Sequence, residues 1–142
     1  MGQKEYMSTI FVQIASYRDP ELVPTLRDLF AKSSGKHEIV VGLVWQYSED
    51  ESLEEFINDD RLRIIKKHYY ESCGLGWARN LVQTLYNNED YTLQLDSHHR
   101  FAQNWDEILI NMLDSLRNQS PKPLLTSYAA LYNPDNSTTL NK

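Results

Sequence analysis

The feature that most constrains the fold is an alternation along the chain. Short apolar, β-prone runs stop at polar clusters, and each is followed by a stretch whose apolar residues recur at helical spacing. Residues 10–15 read Ile-Phe-Val-Gln-Ile-Ala and stop at Ser16-Tyr17-Arg18-Asp19. Asp19 is a good helix N-cap and Pro20 fits the first helical position, after which Leu22, Leu26, Leu29 and Phe30 keep helical spacing until Gly35. Residues 38–45 predict a second strand, in which Ile39, Val40, Val41, Leu43 and Val44 are dense enough for a sheet interior covered on both faces. The acidic stretch 48–60 predicts a short helix through Leu53, Phe56 and Ile57, and residues 62–66 a third strand. A helix is expected over 75–86, with Trp77, Leu81, Val82 and Leu85 on its core side. A fourth strand over 91–95 ends in Asp96 and precedes a helix capped by Asn104, with Ile108, Leu109, Met112, Leu113 and Leu116 inward. After Pro121 and Pro123, residues 124–128 predict a fifth strand. Such an alternation needs crossover connections, so the expected class is α/β, a mainly parallel sheet with helices on both faces.

At 142 residues the chain has room for one domain. Its net charge of −6 argues against broad, sequence-independent binding to nucleic acid phosphates. The single Cys73 cannot form an internal disulfide or a cysteine-based zinc site, which suits a reducing compartment. The longest apolar run, 39–45, is far shorter than the roughly 20 residues of a membrane span, and residues 1–9 lack the marks of a secretory signal. A cytoplasmic location with no membrane partner is therefore the expectation.

In a parallel sheet, ligands sit at the carboxyl ends of the strands. The clusters 16–19 and 96–100 fall on that edge. In the second, an apolar strand runs into Asp96-Ser97-His98-His99-Arg100. Asp96 and His98 are two apart, so an extended chain projects both to one side and a turn lets both converge on one divalent ion. Two such ligands leave positions open for water and phosphate oxygens. The same spacing also fits a polar strand end in which Asp96 makes turn hydrogen bonds. His99 reads as a surface or packing residue and Arg100 as a solvated arginine, with neutralising phosphate its alternative role. Ser16, Tyr17, Arg18 and Asp19 offer a hydroxyl, an aromatic face, a guanidinium and a carboxylate to a nucleoside, with helix capping the alternative role of Asp19. Gly74 and Gly76 open a helix whose amides can face an anion. Arg79, one turn on, can either reach a phosphate or brace an acidic loop. No serine sits in a nucleophile-elbow setting, so covalent catalysis has no support.

Taken together, Phe-Val-Gln-Ile-Ala-Ser-Tyr-Arg-Asp (11–19), Gly-Trp-Ala-Arg-Asn (76–80) and Leu-Gln-Leu-Asp-Ser-His (93–98) resemble the donor-binding half of a GT-A glycosyltransferase. Within that class the chain is similar to the cytoplasmic α-N-acetylglucosaminyltransferases that modify hydroxyproline, and to their bacterial relatives. Asp-Ser-His also looks like the variant metal motif of polypeptide N-acetylgalactosaminyltransferases. The resemblance covers nearly the whole chain. It implies a Rossmann-like nucleotide-binding sheet and a UDP-sugar donor, UDP-N-acetylglucosamine foremost. It further implies Mn2+ (or Mg2+) bridging Asp96, His98 and the diphosphate, and a protein or glycan hydroxyl as acceptor. By the same resemblance Ser16, Tyr17 and Arg18 approach the uridine, and Arg79 the donor sugar or the metal-carrying loop. Members of the family continue with an acceptor-binding half and a further metal ligand. Residues 1–142 are therefore expected to be a single donor-binding domain, truncated at its C-terminus, with 1–9 and 133–142 flexible. A non-catalytic nucleotide-sugar-binding or interaction module is the alternative.

Overall fold

The computed structural model describes residues 5–126, 132–133 and 136–140. Strand β1 (Thr9–Tyr17) leads into helix α1 (Leu22–Ala31), and β2 (Glu38–Tyr47) and β3 (Leu62–His68) follow. A single 3-10 turn (Tyr69–Glu71) precedes α2 (Leu75–Gln83), β4 (Tyr91–Asp96) and α3 (Trp105–Leu116). The four strands form one sheet in the order β3-β2-β1-β4. Every pairing in it is parallel, with Ala15 opposite Asp96 and Tyr17 opposite Gln46. The expected class is the observed one.

Burial explains the order. Ile39, Val40, Val41, Leu43, Val44 and Trp45 of β2 are all buried, as an interior strand covered on both faces requires. Ile10, Val12 and Ile14 of β1 pack with Leu22, Leu26 and Leu29 of α1 and Trp105 and Ile110 of α3. Phe11, on the other face, packs with Ala78 and Val82 of α2. Two helices therefore cover one face and one helix the other. Gly42, which interrupts the apolar run of β2, has a steric reason: a Cβ there would lie 2.4 and 2.6 Å from the Phe11 ring.

Two expectations are corrected. Residues 48–60 form turns, not a helix. Leu53 and Phe56 are buried as foreseen, but Ile57 is exposed, and the Leu53 carbonyl accepts from the amides of both Phe56 and Ile57 before the chain reaches Asn58-Asp59-Asp60. Asp59 binds the Arg61 guanidinium, which lies 3.8 Å over the Phe30 ring, and the chain is thereby drawn into β3 after one turn. Leu124 to Thr126 are irregular, not the start of a fifth parallel strand, while 127–128 lie outside the described residues. Of the segments expected to be flexible, Met7 donates to the Lys36 carbonyl, Ser8 accepts from the Glu38 amide, and Thr9 begins β1. Residues 1–4 lie outside the description. Asn133 belongs to β5 (Tyr132–Asn133), antiparallel to β6 (Asn136–Leu140); 134–135 and 141–142 are likewise outside.

Helix α3 is anchored by polar contacts as well as apolar ones. Asn104 has φ 60° and makes no side-chain cap; its amide donates to the Lys32 carbonyl at 2.7 Å. Asp106 accepts from the Ser34 amide and hydroxyl, both at 2.8 Å, and Glu107 meets His37 at 2.7 Å. These two acids do suit the helix dipole. Their larger consequence is to tie α3 to the α1–β2 connection.

Candidate functional site

Because β1 and β4 are neighbours in register, the chain leaving β4 runs alongside the turn that leads from β1 into α1. Helix α1 and that turn hold residues 97–101 one after another. Thr25 Oγ1 donates to the Ser97 carbonyl at 2.9 Å and accepts from the His99 amide at 3.0 Å. Asp19 Oδ2 accepts from Ser97 Oγ at 2.5 Å and faces His98 Nδ1 at 2.9 Å. Arg100 donates to Glu21 at 2.7 Å, and the Phe101 amide donates to Asp28 at 2.6 Å. The sequence reading of Arg100 as solvated is overturned: its side chain is only 4% exposed, because Glu21 and the His99 carbonyl draw it inward.

Asp19 is not the helix N-cap expected of it, a place that falls to Glu21, since α1 starts only at Leu22; Asp19 serves the turn before the helix. Its Oδ1 accepts from the Glu21 amide at 2.9 Å and opens the turn into α1, while Oδ2 reaches across to the other strand end. Burial alone would raise its pKa. The hydrogen bonds from Ser97, His98 and the Glu21 amide outweigh that and hold it below the ordinary carboxylate range. Asp19 is therefore ionised at neutral pH and can only accept, so the proton between it and His98 sits on Nδ1. His99, half-buried, is held below the ordinary imidazole range by burial, which the Asp96 carboxylate offsets in part.

Asp96 ends β4 on the α2 face and meets Arg79 of α2 at 3.5 Å. Arg79 thus stands beside the acidic strand end. Gly74 makes this helix start feasible, since its φ of 97° is a conformation that favours glycine. Asp96 and His98 consequently have different partners, on α2 and on the β1–α1 turn. The strand ends at Asp96, and the two-residue periodicity that would send both side chains one way ends with it. Among the described residues no group of three or more His, Cys, Asp or Glu side chains is placed to hold a metal ion.

A cleft of about 930 Å³ opens beside Asp19, lined among others by Tyr17, Arg18, Trp45, Asp50 and Glu51. The Arg18 guanidinium lies 4.5 Å over the Tyr69 ring, and Tyr17 meets the same ring edge-on at 6.3 Å. Ser16 is fully buried, its hydroxyl without a partner among the described residues. The sequence-predicted residues are thus split: Tyr17, Arg18 and Asp19 reach the cleft, Ser16 lies in the interior, and Asp96, His98 and Arg79 stand at the neighbouring strand end.

Sequence reasoning missed Thr25, Glu21 and Asp28, the residues that fix the segment after β4. Their partners are more than 70 positions away, and nothing in local spacing marks them. The neighbourhood of β1 and β4 was the one usable signal. It missed Glu51 as well. The Glu51 carboxylate is raised in pKa by burial; its Oε2 accepts from the Ser48 amide, and its Oε1 is buried without a partner among the described residues.

A parallel sheet in the order β3-β2-β1-β4, helices on both faces and polar clusters gathered at its carboxyl edge define a Rossmann-like α/β domain of the GT-A type. The family model Glycosyltransferase (GlcNAc) matches residues 9–55 and 49–142, and the chain belongs to that family. No curated protein matches it. Among the described residues no helix is long and apolar enough to cross a membrane.

Proposed function

We propose that residues 1–142 form one donor-binding domain of a glycosyltransferase that takes a UDP-sugar, UDP-N-acetylglucosamine foremost, for transfer to a protein or glycan hydroxyl in the cytoplasm. The observation that carries this reading is the juxtaposition at the carboxyl edge, where Asp19 both lines the cleft and binds His98 from the strand end that carries Asp96. Uridine would enter beside Tyr17 and Arg18, with Ser16 supporting the strand end beneath. The cleft lining holds five carboxylates, Asp19, Asp50, Glu51, Glu54 and Glu55, against the guanidiniums of Arg18 and Arg27. Such a wall repels a diphosphate unless a cation accompanies it.

Asp96 and His98 fit a cation held jointly with that diphosphate, and not one held by the protein alone. His98 keeps Nε2 as an acceptor once Nδ1 is engaged, and it is 57% exposed. The Asp96–Arg79 pair is exposed and loosely spaced at 3.5 Å, a contact of at most about 1 kcal/mol that a divalent ion readily displaces. When bound, Mn2+ or Mg2+ would stabilise the charge growing on the departing UDP. Arg79, released or shared, stands next to that charge. The likeness to hydroxyproline-modifying enzymes makes a hydroxylated protein side chain the first acceptor to try.

The test is titration of UDP with and without Mn2+ on the wild type, Asp96→Ala and His98→Ala. Metal-dependent binding lost in both variants supports the reading; binding of UDP that ignores the metal removes the mechanism. A second reading, a nucleotide-sugar-binding or interaction module without turnover, draws on the lack of a three-ligand metal group among the described residues. UDP binding without donor hydrolysis would favour it.

A further inference from the structure

We propose that Asp19 is a positioning residue that locks His98 in the Nδ1–H tautomer, so that Nε2 is offered to the divalent cation. This rests on the metal reading just given. Histidines that bind metals through one nitrogen commonly donate the other N–H to a carboxylate, which fixes the tautomer and the ring orientation. Here the carboxylate comes from the β1–α1 turn, 79 positions away, and the contact is 2.9 Å.

Two details separate positioning from ligation. Asp19 is nearly consumed as an acceptor: Oδ1 takes the Glu21 amide, and Oδ2 takes both the Ser97 hydroxyl and His98 Nδ1. Its side chain is also only 15% exposed, against 57% for His98. The imidazole, and not the carboxylate behind it, is what meets an incoming cation. Ser97 donates to the same carboxylate oxygen that His98 meets, and its carbonyl is itself fixed by Thr25. His98 thus stands on a support built from α1 and its leading turn.

Asp19→Asn is the informative change. The asparagine oxygen can keep the Glu21 amide, which leaves the NH2 group facing His98. An NH2 donates, so the imidazole must accept at Nδ1 and carry its proton on Nε2, the reverse of the wild-type state. The experiment uses the whole chain with 15N-labelled histidine at pH 8, and reads the His98 ring nitrogens before and after adding Mg2+ with UDP. His98→Gln assigns the signals. Mn2+ affinity in the presence of UDP is read separately by electron paramagnetic resonance. Expected are an Nδ1–H imidazole in the wild type, an Nε2–H imidazole in Asp19→Asn, and Mn2+ affinity weakened 10- to 100-fold in that variant. Ser97→Ala should keep the wild-type tautomer.

An Nε2–H imidazole in the wild type overturns the proposal and needs no variant, so a failure of Asp19→Asn to fold does not shield it. So does an Asp19→Asn protein that binds Mn2+ like wild type while His98→Ala does not bind it. If instead the wild type shows Nδ1–H and no Mn2+ binds with UDP, the metal reading fails, and the role of Asp19 toward a cation goes with it. The tautomer measurement tells these failures apart.

Discussion

Gly42→Ala tests the packing on which the sheet depends. The new methyl would lie 2.4 Å from Phe11 Cζ and 2.6 Å from Cε2, whereas carbon atoms rest at about 3.5–4.0 Å, so the ring must retreat by roughly 1 Å or more. It has little room. Phe11 is fully buried among Val40, Val44, Ala78 and Val82, and Tyr86 stands 5.8 Å away across the ring. Overpacking of this kind costs about 1–3 kcal/mol, or roughly 3–10 °C in Tm for a chain of this size. Thermal and urea unfolding, with ΔG taken from both, measure it. Phe11→Leu removes the far ring atoms, so Gly42→Ala in that background should cost less by at least about 1 kcal/mol. A cost below about 0.5 kcal/mol in the native background, or the same cost in both, would refute the steric account of this glycine.

Arg100→Met should destabilise the protein by about 3 kcal/mol in urea unfolding, because it breaks a buried, hydrogen-bonded ion pair with Glu21; a solvated arginine would cost less than about 0.5 kcal/mol. Glu51→Gln should raise Tm at pH 7 and lose that advantage near pH 4. The sign follows from the direction of the shift: burial raises the folded pKa of Glu51, so the folded state favours the protonated acid, and stability falls as pH climbs from the unfolded value of about 4.5 through the folded one. Parallel pH profiles for wild type and variant would show the direction to be wrong.

Much of the architecture was readable because the core obeys simple periodicities. The apolar density of β2 on either side of Gly42 announced a strand buried on both faces, and Leu22, Leu26 and Leu29 announced the helix that covers it. Residues 48–60 were misread for a reason the periodicity could not reveal: Leu53 and Phe56 do face the core, but one helical turn suffices to bury them before Asp59 and Arg61 redirect the chain. Asn104 has the composition of a cap and the backbone of a left-handed turn. At the site, Asp96 and His98 were visible as residue types, and Arg79 as a cation one turn into the helix, open to either a phosphate or an acidic loop. That they take different partners was not visible, because it depends on Asp19 and Thr25, more than 70 positions earlier, holding the chain just after the strand end. Arg100 was misjudged because its partner is Glu21, 79 positions earlier, on an element whose placement beside β4 only the sheet order decides.

The lacing of residues 97–101 to helix α1 makes the two a single mechanical piece. Leu22, Leu26 and Leu29 root that helix in the interior, so a visiting molecule that tried to drag the segment would have to lever a whole layer of the domain with it. The facing wall of the cleft is tied to the same helix, since Arg27 of α1 pairs with Glu55 and Leu53 packs in the common core. Variation at Thr25 or Asp28, which hold the Ser97 carbonyl and the His99 and Phe101 amides, should displace His98 as surely as a change at the residue beside it.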